Sequence, residues 1–185
     1  GLGWVTAEYG MLPASTGRRT RRPISKPDGR AVEIQRLIGR TIRGAVDYAK
    51  LGEHTVYLDC DVLEADGGTR TASITGAQVA LALAVRVGQS KGLFQPRVLT
   101  ARIAAVSVGL VDGRPMLDLC YEEDSRAEVD MNLAMNDKGK FLEVQGSSEG
   151  APFDAEELQQ MLELGRRGVK QLLRLQNQVI QHSGT

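Results

Sequence analysis

The chain has 185 residues, the size of one ordinary domain, with 42% hydrophobic and 25% charged residues, a balance that excludes disordered and fibrous classes. Twenty-three basic residues face twenty-three acidic ones, for a formal charge of +0, so any polyanion must be held by a local patch and not by global charge. Aromatic residues make up only 4%, too few for a base-stacking sheet.

Trp4 to Tyr9 reads as a short strand. From Gly17 to Arg30 the cations Arg18, Arg19, Arg21, Arg22, Lys26 and Arg30 face a single acid, Asp28. Pro23 and Pro27 break any helix there, which makes the segment a basic loop. A helix is predicted from Ala31 to about Tyr48, with Ile34, Leu37, Ile38, Ile42, Ala45 and Val46 as its apolar stripe and Arg36, Arg40 and Arg43 as a basic one. Thr55 to Leu63 alternates as a strand does, with Val56, Leu58, Cys60 and Val62 on one face. A small-residue helix, Ala72 to Val87, and a linker, Gly88 to Pro96, follow. Strands are predicted at Ile103 to Val111, Met116 to Cys120, Met131 to Met135 and Phe141 to Gln145, with Asp112-Gly113 as a hairpin signal. The last helix begins with Asp154 as N-cap and Glu157 closing a capping box, Phe153 and Leu158 form a hydrophobic staple, and the helix runs to about Gln181. Helices covering a mostly antiparallel set of strands predict an α+β fold, one domain over residues 1–185 with sub-units of about 1–96 and 97–185.

No apolar run approaches the roughly 20 residues of a membrane span, and Gly1-Leu2-Gly3-Trp4 shows no signal-peptide pattern. Two cysteines, Cys60 and Cys120, are too few for a disulfide framework and read as buried thiols. The expected compartment is the reducing cytoplasm. His54 and His182 lack metal-ligand or triad neighbours in sequence and receive no role.

Three features bear on chemistry. Asp66-Gly67-Gly68-Thr69-Arg70-Thr71 joins a strand to a helix, so its glycine amides, the helix N-terminus, and the Thr and Arg donors suit an oxyanion such as phosphate. It is not a Walker loop; a plain Gly-rich turn with a surface Arg is the competing reading. Glu122 to Asp130 carries clustered carboxylates that suit a divalent cation, against a solvated acidic turn. The arginine loop suits a phosphate backbone, against a solvated surface loop. Together, an anion cradle, carboxylates and a basic loop are the parts that phosphoryl transfer needs.

The run from Cys60 to Ala72, CDVLEADGGTRTA, resembles the signature of the bacterial ribonuclease PH family. The likeness continues at Trp4 to Pro13, Glu33 to Arg40, Tyr121 to Ser125, Val129 to Asn132, Glu143 to Gly146 and Glu149-Gly150. The resemblance implies a two-layer fold of repeated β-α-β-α units with a left-handed crossover. It implies a phosphorolytic 3′-to-5′ exoribonuclease, a tRNA nucleotidyltransferase that trims precursor tRNA and other RNA 3′ ends with inorganic phosphate as co-substrate. By the same likeness Arg30, Gly68, Thr69 and Arg70 hold phosphate. Asp124 and Asp130 hold a magnesium ion and, with Arg70, are the catalytic residues. Arg18, Arg19, Arg21 and Arg22 bind RNA, with Ala14 standing where the family has another arginine. Members form a homo-hexamer, a trimer of dimers. The family's leading strands, before the Trp4 region, have no counterpart here, so the first sheet is expected to carry unpaired edges and poor solubility when it starts at Gly1. The alternative is a non-catalytic RNA-binding ring subunit of an exosome-like assembly, a class that loses the cradle or the acidic pair.

Overall fold

The computed structural model describes residues 1–21 and 28–183. Strand β1 (Trp4–Met11) pairs in parallel with β2 (Thr55–Val62), in unbroken register from Trp4–Thr55 to Met11–Val62. Period-two alternation turns Val5, Ala7 and Tyr9 inward, where they meet Ile34, Leu37, Ile38 and Ile42 from the apolar stripe of helix α1 (Gly29–Arg43). Asp28 caps α1, accepting a hydrogen bond from the Arg30 amide at 3.2 Å. Arg30 therefore belongs to the first helical turn and not to the basic loop.

Helix α1 stops at Arg43, short of the expected Tyr48. The chain bends at Gly44, Val46 bridges to Leu99, and Asp47 caps a separate turn, α2 (Tyr48–Leu51), accepting from the Lys50 amide. Helix α3 (Thr69–Ser90) is longer than expected at both ends. Gly88 is not a linker residue: a Cβ there would lie 2.2 Å from the Phe94 ring, so the glycine lets that ring close over the last turn. With 22 residues and a mean hydropathy of 1.3 over its most apolar window, α3 is long and apolar enough to cross a membrane, contrary to the sequence reading. It instead runs between the layers, packed against α1, β2, the strands Ile103–Val111 and Val129–Asn136 and the helix Ala155–His182, with Ile74, Ala77, Leu81 and Val85 buried.

The second sheet has the order β4-β3-β5-β6 and is antiparallel throughout. Its strands are β3 (Ile103–Val111), β4 (Arg114–Leu117), β5 (Val129–Asn136) and β6 (Phe141–Ser148). All nine residues of β3 are buried, because α3 covers one face and α5 (Ala155–His182) the other. The β3–β4 hairpin turns on Asp112 and Gly113, at φ of 51° and 69°, the mirror-image turn that matches strand twist. Strand β4 ends earlier than the expected Cys120, since Asp118 turns at φ 60° and the Leu119 and Cys120 amides go to the Ser107 hydroxyl and the Glu123 carboxylate. The acidic run is not a simple turn between strands: it opens with a one-turn helix, α4 (Tyr121–Asp124). Helix α5 begins as its sequence predicts: Asp154 accepts from the Glu156 and Glu157 amides, both at 2.9 Å, and Glu157 accepts from the Asp154 amide at 2.8 Å. Phe153 and Leu158 both pack on the cluster beneath α5.

Candidate active site

A cleft of about 590 Å³ lies at the carboxyl ends of the parallel strands, where the loop after β1, the start of α1, the start of α3 and the four-stranded sheet meet. The loop after β1 is tied down by Ala65, whose amide donates to the Ser15 carbonyl at 2.6 Å. Its continuation brings Thr16, Gly17 and Arg18 to the rim.

The cradle comes from local chain geometry. Gly67 runs against the backbone that leads into α4, and a Cβ on it would stand 1.9 Å from the Leu119 carbonyl oxygen. Gly68 holds φ at 70° and caps α3 with no side chain of its own. The first-turn amides of α3 consequently lack a side-chain acceptor and face the cleft at the positive end of a 22-residue helix. Thr69 shares a hydrogen bond with the Tyr9 hydroxyl at 2.9 Å. Thr71 turns inward, donating to the Gly68 carbonyl at 2.9 Å, so its hydroxyl serves the loop and not a ligand. The Arg70 guanidinium reaches the Glu33 carboxylate and the Gln145 amide oxygen, each at 3.5 Å.

Asp124, the last residue of α4, and Asp130, in β5, line the opposite wall. The α4 turn is pinned from two sides: Asp66 accepts from the Tyr121 amide at 2.6 Å, and Glu123 accepts from the Cys120 amide at 3.0 Å. Burial raises the Asp130 pKa above its ordinary value, the negative charges of Asp124 and Glu149 raise it further, and Arg70 and a hydrogen bond from Asn132 pull it back. A raised folded-state pKa means that the folded chain holds the proton more firmly than the unfolded one, so this site costs stability as pH rises through that window towards neutrality. Asp124→Asn removes one source of repulsion and is expected to raise the thermal midpoint at pH 7 by about 1–2 °C. An unchanged or lower midpoint by calorimetry counts against strain between the two carboxylates.

Two carboxylates that face each other and repel are a donor set suited to a hard divalent cation. Among the described residues no group of three or more His, Cys, Asp or Glu is placed to hold a metal, so the pair would leave coordination positions open for substrate oxygens.

The structure gathers Arg18, Arg30, Gly68, Thr69, Arg70, Asp124 and Asp130 around one cleft. Arg19 and Arg21 are exposed beyond its lining, and Arg22 lies outside the described residues. Sequence reasoning passed over Ser107 and Asn132, which also line the wall. Their signal was present as polar residues on the same face as Asp130 within paired, otherwise apolar strands, where Asn132 stands opposite Ser107. A larger groove of about 750 Å³ follows β2 and α3, but among the described residues its lining holds no Lys or Arg, which disqualifies it as a phosphate seat. Cys60 lies in that groove. Cys60 and Cys120 are free and half-buried, not fully buried as expected, and burial, helped by Asp59 and Asp61, pushes the Cys60 thiol upward and makes it less reactive.

Residues 1–87 match the sequence model described as 3′ exoribonuclease family, domain 1, and residues 101–168 match domain 2 of the same family. A ribonuclease PH from Solibacter usitatus (strain Ellin6076) is 55% identical over 188 residues, spanning 98% of this chain and 77% of that protein. Among solved structures, rice (Oryza sativa) Rrp46 superposes with a TM-score of 0.74 over 96% of this chain and 73% of its own, at 14% identity; a likeness at that identity is one of fold. With both domains matched and more than half of the residues shared with a curated relative, the chain belongs to the 3′ exoribonuclease family, on its ribonuclease PH branch.

Proposed function

We propose that this chain is a phosphorolytic 3′-to-5′ exoribonuclease that uses inorganic phosphate to release nucleoside diphosphates from RNA 3′ ends, precursor tRNA foremost. One observation carries the reading: an unshielded helix N-terminus flanked by Arg30 and Arg70 faces the Asp124–Asp130 pair across a single cleft. Phosphorolysis brings an anionic nucleophile against an anionic diester, so two like charges must be neutralised and held in line. Arg30, Arg70 and the α3 amides bind and orient the orthophosphate, which turns an encounter between anions into a reaction within one site. The attacking phosphate oxygen forms a bond to the terminal phosphorus as the bond to the 3′ oxygen of the preceding nucleotide breaks. An anionic phosphate needs no general base, and among the described residues the lining of the cleft holds no histidine. Asp124 and Asp130 would hold magnesium, which when bound supplies charge stabilisation at the leaving 3′ oxygen.

The same reading includes cytoplasmic action and a homo-hexamer built as a trimer of dimers. A closed ring repeats the Arg18, Arg19, Arg21 and Arg22 loops, which gives a chain of zero net charge a concentrated cationic surface for tRNA. Keeping cradle and carboxylates in one chain argues against the non-catalytic ring subunit.

A tRNA with a 3′ extension, incubated with the protein and magnesium, is expected to shorten only when orthophosphate is added and to yield nucleoside diphosphates. Release of monophosphates with water as the nucleophile overturns the reading, as does RNA retention by an intact ring with no shortening.

A further inference from the structure

We propose that Glu33 and Gln145 are a positioning pair that holds the Arg70 guanidinium away from Asp124 and Asp130, dividing the cleft into an anion-binding half and a cation-binding half. The inference rests on the phosphorolytic reading and deepens it by assigning two residues that lie outside the lining of the cleft. Arg70 leaves the first turn of α3, while its two partners arrive from α1 and β6, so three separate elements converge on one guanidinium. Asp130 is near enough to feel the Arg70 charge, and the Asp124–Asp130 pair carries up to two negative charges against one on Glu33.

Coulomb attraction alone would draw a free Arg70 side chain to the richer anion. Once there it would cancel the charge that a divalent cation needs and withdraw from the phosphate. Glu33 supplies an opposing charge, and Gln145 supplies a neutral acceptor that fixes direction without adding to the negative potential. Glu33 also lies one helical turn from Arg30 on α1, so the same carboxylate offsets the repulsion between the two phosphate-binding arginines. The Arg70–Glu33 contact is long, with side-chain exposures of 21% and 46%, and such a contact is worth little as a stabiliser. Its value lies in where the guanidinium rests.

The test is a titration of the purified protein with Mn²⁺, read by electron paramagnetic resonance in the absence of RNA, with orthophosphate binding measured by calorimetry. Glu33→Ala is expected to weaken both Mn²⁺ and orthophosphate binding by about four-fold, the scale of a half-exposed ion pair. Glu33→Gln gives a smaller shift in the same direction, and Glu33→Ala with Gln145→Ala a larger one. Adding Arg70→Ala to Glu33→Ala restores the wild-type Mn²⁺ affinity, since the competing cation is gone; a structural role for Glu33 would not produce that rescue. Unchanged Mn²⁺ affinity, absence of rescue, or tighter orthophosphate binding in Glu33→Ala overturns the proposal. None of these readings depends on turnover, so a wild-type protein that fails to phosphorolyse RNA would count against the proposed activity separately.

Discussion

Arg70→Ala is expected to lower kcat/KM for phosphorolysis by about a thousand-fold or more, the range seen when a guanidinium that neutralises a transferring phosphoryl group is removed. The size follows from its position. Arg70 stands at the start of α3, beside the amides of the cradle and across from Asp130, so its loss removes charge from the nucleophile's seat and orientation together. Its side chain is 21% exposed and, among the described residues, makes only long polar contacts, so the thermal midpoint is expected to stay within about 2 °C of wild type. Single-turnover shortening of a 3′-extended tRNA at saturating orthophosphate is the measurement. A variant that keeps near-full activity removes Arg70 from the catalytic set.

The second large effect is structural in origin. Gly67→Ala places a methyl group 1.9 Å from the Leu119 carbonyl oxygen and 2.9 Å from the Cys120 carbonyl carbon, both of them backbone. Neither can rotate aside, so the cradle loop and the chain entering α4 must separate, breaking the 2.6 Å bond from the Tyr121 amide to Asp66. Overpacking of this kind costs about 1–3 kcal/mol, or about 5 °C in thermal midpoint for a chain of this size. The same movement displaces Asp124 relative to Arg70, so orthophosphate binding by calorimetry and turnover are expected to fall by at least ten-fold. Gly76→Ala is the control: it also lies on the cradle's helix, α3, but a Cβ there meets nothing within 4 Å, and replacing a helical glycine is expected to stabilise by about 0.5–1 kcal/mol. Equal behaviour of the two variants would mean that the close approach at Gly67 is not what shapes the cleft.

The contrast between those two glycines also marks what could be read before the fold was known. Signals that act within a few residues were legible: Asp154 with Glu157 at the start of α5, Asp112-Gly113 in the β3–β4 turn, and the alternation of β2. The Gly67-Gly68 pair was read as an anion cradle for its backbone freedom, and Gly68 uses that freedom at φ 70°. The reason for Gly67 is contact with a chain segment some fifty residues away, which no local pattern encodes. Likewise Glu123 belongs by sequence to a run that reads as cation ligands or a solvated turn, and Asp66 merely opens the Gly-rich segment, whereas both accept from backbone amides that align α4. Glu33 and Gln145 carried no sequence signal beyond a family likeness, because their shared partner is assembled by tertiary packing. The end of α1 was misplaced for a related reason: Ala45 and Val46 continue the apolar spacing, but they are buried by the turn that follows the helix.

Helix α3 links the two layers of the molecule, and the consequence for function is spatial. The cations come from the loop after β1 and from α1 and α3, and the carboxylates come from β5 and the α4 turn beside it. Neither layer owns both walls of the cleft, so on the proposed reading the chemistry belongs to the seam between them. A substrate that bridges the seam acts as a rivet, so occupancy is paid back as cohesion between halves that otherwise meet mainly along one helix.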